Sequence, residues 1–328
     1  MSELNTTTAP NVQPTEPMVP ENAPLPPSKR PPGPWMMVWK KFSRNPFAMT
    51  GLVVLTIFIL VAIFAKWIAP YDPAQIDMLG ANLKPGTGDH LLGTDELGRD
   101  IFSRLVYSSQ VSMTIGFSVA LIAVCFGSII GAISGYFGGW IDTLIMRIID
   151  VMISLPSLFV NILVMAIFGT KMIYLILILA LTSWTGVARL VRGQFLQLRE
   201  MQYVEAAKAT GVSSWGIIFR HLLRNASFPI IVNATLMVGG AILSESGLSY
   251  LGLGIQIPKT SWGQMLSNSQ EFMLTNPMQA IYPGLCILIV VLAVNFIGDG
   301  IRDALDPRQK NSRRRLAKWR KNFLKSGI

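Results

Sequence analysis

The chain has 328 residues, of which 51% are hydrophobic and only 14% charged, with a mean hydropathy of +0.46. That is too apolar and too sparsely charged for an ordinary soluble domain of this length. A formal net charge of +10 would point to nucleic acid in a soluble protein, but no soluble domain is present to carry such a surface, so no nucleic-acid partner is expected.

Residues 1–34 are rich in Pro, Thr and Asn and lack the apolar core of a signal peptide, so a disordered tail is expected there. Residues 35–49 open with Trp35, Met36, Trp39 and Phe42 largely on one side, the pattern of an amphipathic helix on the inner membrane surface. Six apolar runs follow, several of them reaching the ~20 residues that cross a hydrocarbon core. The first spans about Thr50 to Ile68, the second Val111 to Gly135, and the third Ile141 to Phe168 with Pro156 kinking or breaking it. The fourth covers Ile173 to Val191, the fifth Ala226 to Leu253 and the sixth Ala280 to Gly298. In the second, Gly127, Gly131 and Gly135 recur every fourth residue, which lets another helix approach closely in lipid. Cys125 and Cys286 fall inside apolar runs and read as small buried hydrophobes, not as a disulfide or metal pair.

Basic residues give the expected orientation. Lys29, Arg30, Lys40, Lys41 and Arg44 precede the first run, and a basic tail, 304–328, follows the last. Arg189, Arg192, Arg199, Lys208, Arg220 and Arg224 surround the connection between the fourth and fifth runs. Cationic loops stay inside, so both termini and this connection are expected in the cytoplasm, with 69–110 and 254–279 outside. The six acids between Ala69 and Arg104 are read either as a receiving surface for a binding protein or as groups that keep the loop solvated.

The inner connection, 199–225, is polar and far longer than joining two spans requires. Glu200 to Thr210 is helix-prone, Gly211 suits a left-handed C-cap, Ser213 a new N-cap, and Trp215 to Leu223 a second helix. Such a helix–turn–helix offers Glu205 and Lys208 to a partner and alanines for close approach.

EAAKATGVSSWGIIFRHLLRN, Glu205 to Asn225, resembles the coupling loop of ABC-importer permeases: Glu205, Ala206, Ala207 and Gly211 match at the right spacing. Arg224 stands where that pattern has Pro, which would let the second helix continue into the fifth span. HLLGTDELGRDIFSR from His90, GYFGGWID from Gly135, SYLGLG from Ser249, SWGQML from Ser261 and NFIGDGIRDALDPR from Asn295 resemble the C-type permeases of dipeptide, oligopeptide and nickel importers. The resemblance implies an all-α polytopic fold of six transmembrane helices over 50–303, of the type I importer kind. It also implies a bacterial inner-membrane location, a second permease subunit, two cytoplasmic ATPase subunits and an extracytoplasmic peptide-binding protein. In that family the loop docks into the ATPase, so Glu205, Ala206, Ala207, Lys208 and Gly211 are the expected coupling residues.

No GxxxxGK[ST] loop, HExxH helix or GxSxG elbow occurs, so no catalytic, cofactor or metal residues are assigned; ATP and Mg belong to the partner ATPases. Within the spans, Glu245 and Asp150 are candidate linings of the translocation path. Asp150 is also three residues from Arg147 and can pair with it, and Glu245 can equally bond a neighbouring helix. Peptides are the expected cargo, with nickel or a metal chelate as the alternative on the same machinery and an intramembrane enzyme as the competing class.

Overall fold

The structure is a computed structural model that describes residues 34–305, so nearly all of both expected tails lies outside it. Among the described residues the regular elements are helical: α1 Pro34–Phe42, α2 Pro46–Ile63, α3 Ala65–Ile68, α4 Ile101–Phe137, α5 Gly139–Ser154 and α6 Ser157–Phe168. They continue with α7 Met172–Leu198, α8 Gln202–Ala209, α9 Ser214–Gly216, α10 Leu223–Tyr250, α11 Trp262–Asn268 and α12 Met278–Leu305. Five helical runs are long and apolar enough to cross a membrane, six spans in all if the α5–α6 pair counts as one. The six-span, all-α expectation therefore holds by length and composition.

Local chemistry sets the boundaries. Asn45 accepts hydrogen bonds from the backbone N–H groups of Phe47 and Ala48, and Pro46 occupies the first helical position, so α2 starts after α1 instead of continuing it. The single surface helix expected over 35–49 is thus two elements, and α1 packs Phe42 against Ala304 while Lys41 donates to the Ala304 carbonyl at 2.8 Å. Asp100 caps α4 by accepting from the Ser103 N–H at 2.7 Å. That helix therefore begins at Ile101, not near Val111, and the first long loop shortens to 69–100. Leu155, before Pro156, is extended, which ends α5 and turns α6 through 83°. The third span is therefore a broken pair, not a kinked helix.

The four-residue glycine repeat is a packing device. On α4, a Cβ at Gly127 would sit 2.6 Å from the Trp184 carbonyl oxygen and one at Gly135 2.6 Å from the Phe195 Cβ, so α4 and α7 touch backbone to backbone. Cys286 is half-buried, but Cys125 is exposed on α4, on an apolar groove that it lines with Phe219 and Ile230, and is not a core site.

The bundle has two unlike ends. At one, α8 packs beside the ends of α4 and α7, and Arg302 and Leu305 of α12 line a cavity with Phe228 and Pro229. At the other, the loop 69–100 and the segment around α11 cover the starts of α4 and α12.

Candidate coupling site and the buried polar network

α8 ends in a Schellman turn. Gly211 has φ +78°, its N–H donates to the Lys208 carbonyl at 3.0 Å, and the Val212 N–H reaches back to Ala207 at 3.1 Å. Ser213 then caps the next helix by accepting from the Gly216 N–H at 3.3 Å. Both expected caps are in place. The helix that follows is not a separate element, however: α9 passes through a π-helical turn, Ile217–Leu222, into α10 as one helical run, Ser214–Tyr250. Arg224 lies inside this run, as its departure from the proline pattern predicts.

The rear of α8 is apolar. Val204 and Ala207 are buried against Ile217, Ile218, Leu222 and Phe195, and Asn225 donates to the Tyr203 hydroxyl at 3.1 Å. The front carries exposed Glu205, Ala206, Lys208, Ala209 and Gly211, flanked by exposed Met201, Val212 and Trp215. Ala207, expected on the docking face, is therefore a correction: helical periodicity places it with Val204 on the side that holds α8 to the bundle.

Behind this segment lies a charge network that sequence reasoning did not assemble. Arg192 of α7 grips Asp142 of α5 with two guanidinium bonds, 3.0 Å to Oδ1 and 2.5 Å to Oδ2, while Ser134 of α4 donates to Oδ1 at 2.5 Å. A forked guanidinium–carboxylate pair fixes orientation as well as distance, so it sets where the end of α7 enters α8. Asp142 and Arg192 are fifty positions apart, a separation no local spacing rule reports.

The two intramembrane acids fall differently. Asp150 pairs with Arg189 of α7 at 2.5 Å, not with Arg147, because α5 leans on α7 and brings a cross-helix guanidinium within reach. Both side chains remain about half exposed (45% and 51%). Glu245 is fully buried in this conformation, and Ser249 of its own helix and Ser261 each donate to its Oε1 at 2.7 Å. The Glu245 expectation is corrected to its stated alternative, a bond to a neighbouring element.

Ser261 belongs to the segment 254–279, which folds back into the bundle. Trp262 is fully buried; its indole N–H donates to the Leu105 carbonyl at 3.2 Å and its backbone N–H to Ser112 at 3.3 Å. The acids of the first loop divide: Asp72, Asp77 and Asp89 are exposed, whereas Asp95 and Asp100 are buried. Asp95 accepts from the Arg99 side chain at 2.7 Å and from Arg104, while Asp100 accepts from His90 at 2.9 Å, all with Asp95, Arg99, Asp100 and Arg104 buried.

Among the described residues the fold is helical, with five or six apolar spans and a capped polar hairpin at one end, the architecture of a multi-pass membrane protein. Residues 127–311 match the binding-protein-dependent transport system inner membrane component family, and residues 33–85 match the N-terminal transmembrane domain of oligopeptide transport permease C. The chain is 42% identical over 278 residues to a dipeptide transport system permease protein of Alkalihalophilus pseudofirmus, covering 85% of this chain and 91% of that one. It is 41% identical over 272 residues to a probable D,D-dipeptide transport system permease protein of Escherichia coli, covering 83% and 91%. A glutathione transport system permease protein of Pectobacterium atrosepticum is 38% identical over 279 residues, covering 85% and 92%. The chain belongs to the family of binding-protein-dependent transport system inner membrane components.

Proposed function

We propose that this chain is one of two permease subunits of an ATP-driven importer of short peptides, and that partner ATPases act on it through Glu205–Asn225. The observation that carries the reading is the two-sided character of α8. Its apolar rear is locked to the bundle while its front exposes charged and small residues among the described residues. A loop that only joined two spans would need neither side. The basic residues around this segment favour the cytoplasm for it and for both termini, in the bacterial inner membrane. The complex is completed by a second permease, two ATPases that use ATP and Mg, an extracytoplasmic binding protein and lipid along the exposed apolar helix faces. The chain itself has no sequence element for hydrolysing ATP.

The mechanism follows from the packing. Closure of the ATPase pair displaces α8, and α8 cannot move without the π turn and the base of α10, because Val204 and Ala207 are buried against them. That displacement tilts the spans between two packings of similar energy, which alternately open either end. Peptide cargo rests on what the relatives are named for: dipeptides, D,D-dipeptides and glutathione.

The test uses the assembled complex in proteoliposomes with its binding protein. Glu205→Lys and Gly211→Pro are expected to leave the subunit in the membrane while lowering peptide uptake per ATP by about tenfold. Normal uptake in both variants would remove the docking reading. Nickel uptake without peptide uptake by the parent would overturn the cargo and leave the coupling intact.

A further inference from the structure

We propose that Glu245 is a positioning residue that yokes the segment around α11 to the long helix rising from the coupling site, so that the wall of the loop-end cavity moves with α8. The inference rests on the reading of Glu205–Asn225 as the docking segment.

The helical run Ser214–Tyr250 has 37 residues, about 55 Å at 1.5 Å per residue. It remains helical through Pro229, which only lacks a donor there. Its base is held to α8 by buried contacts and by the Asn225–Tyr203 bond. Near its top stands Glu245, a carboxylate at a fully buried position where a leucine would pack at no polar cost. Such a group at membrane depth requires specific partners, and it has them in hydroxyls. Two, Ser249 at 2.7 Å and Ser246 at 3.5 Å, are on its own helix; the third, Ser261, is across a gap in the chain and is itself the N-cap of α11, accepting from the Gln264 N–H at 3.1 Å. The carboxylate therefore grips the first turn of α11 through the residue that starts it.

What this grip positions is a cavity wall. Pro258, Lys259 and Thr260, immediately before Ser261, line a cavity of about 900 Å³ together with Tyr107, Gln110 and Thr114 of α4. On the α4 side the segment is held by the Thr260–Ser108 hydroxyl contact at 3.0 Å and by the two Trp262 bonds. The segment is thus a bridge between two helices. Glu245 is its buried attachment to the helix that descends to the coupling site, while Gln270 donates to the Tyr250 carbonyl at 2.9 Å at the exposed end of that helix.

The assembled transporter, with Cys125→Ala and Cys286→Ala, carries Lys259→Cys as a reporter for a membrane-impermeant maleimide; Lys259 is exposed. In this parent, a non-hydrolysable ATP analogue with the binding protein should change the labelling rate by about tenfold. Glu245→Ala and Ser261→Ala should reduce that change to less than about twofold while ATP hydrolysis continues, and should lower kcat for uptake with KM for the loaded binding protein unchanged. Glu245→Gln keeps Oε1 to accept the Ser249 and Ser261 hydroxyls and should restore the response. Ser249→Ala, which removes only a bond within one helix, should retain it. A nucleotide response that persists in both alanine variants, or is absent from the parent, overturns the proposal; if Glu245→Ala fails to assemble, Ser261→Ala decides. A parent that shows the labelling change but imports no peptide refutes the cargo reading and leaves the yoke standing. A parent whose reporter responds equally with Glu205→Lys in place refutes the docking reading instead.

Discussion

The loop 69–100 and the hairpin 199–225 are both polar connections between apolar spans, and they spend their charges in opposite ways. At the loop end, Asp95, Arg99, Asp100 and Arg104 are buried and bonded to one another or to backbone N–H groups, so the loop is a fixed cap on the start of α4. At the α8 end, Glu205 and Lys208 are exposed, and the hairpin is held instead by apolar contacts on its rear and by two helix caps. Charge turned inward fastens a loop to its own chain. Charge turned outward leaves it available to another.

The contrast predicts a graded series of responses. Asp95→Ala leaves Arg104 buried without its carboxylate and Arg99 with Glu96 alone, and should cost about 3–5 kcal/mol, read as a large loss of thermal stability of the detergent-solubilised protein. An unchanged melting temperature would mean that the buried charges do not hold the cap. Gly211→Ala has open space for its methyl group but must keep φ +78°, at about 1–2 kcal/mol; faster amide exchange at Gly211 and Val212 would register it, with the loop 69–100 unaffected. Asp100→Ala removes the α4 cap, worth about 1 kcal/mol, and also the acceptor of His90; exchange at the first turn of α4 should quicken while α8 is untouched. Glu205→Ala should move stability by less than about 0.5 kcal/mol yet lower uptake in the complex. If Glu205→Ala instead destabilised the isolated subunit as Asp95→Ala does, the two ends would not differ in kind.

Much of the coupling site was legible because its determinants are local. A left-handed glycine after a helix-prone run, a serine two residues later and a polar stretch between two apolar runs each act within a few residues of themselves, and the structure places Gly211 and Ser213 as caps. The glycine repeat at Gly127, Gly131 and Gly135 was equally legible, since its period matches a helix face. The misreadings share another cause. Ala207 was assigned outward because its motif does not state which face of α8 is anchored. Asp150 was offered Arg147 as partner because a spacing of three is visible in one dimension, whereas Arg189 arrives only through the lean of α5 on α7. Neither reading offered for the acids of 69–104, a receiving surface or solvation, separates buried Asp95 and Asp100 from exposed Asp72, Asp77 and Asp89, because burial within a loop is decided by what folds over it.

The sequence by itself determined that the chain is a bundle of about six apolar helices with a capped polar hairpin between two of them. Hydropathy over ~20 residues, backbone capping and helical period are all short-range physics. Only the tertiary structure decided which charges meet. The Arg192–Asp142 fork, the buried cluster around Asp95 and the hold of Glu245 on Ser261 each join residues from different elements or across loop turns. Their cost in a low-dielectric interior is acceptable only where the fold supplies both partners at once.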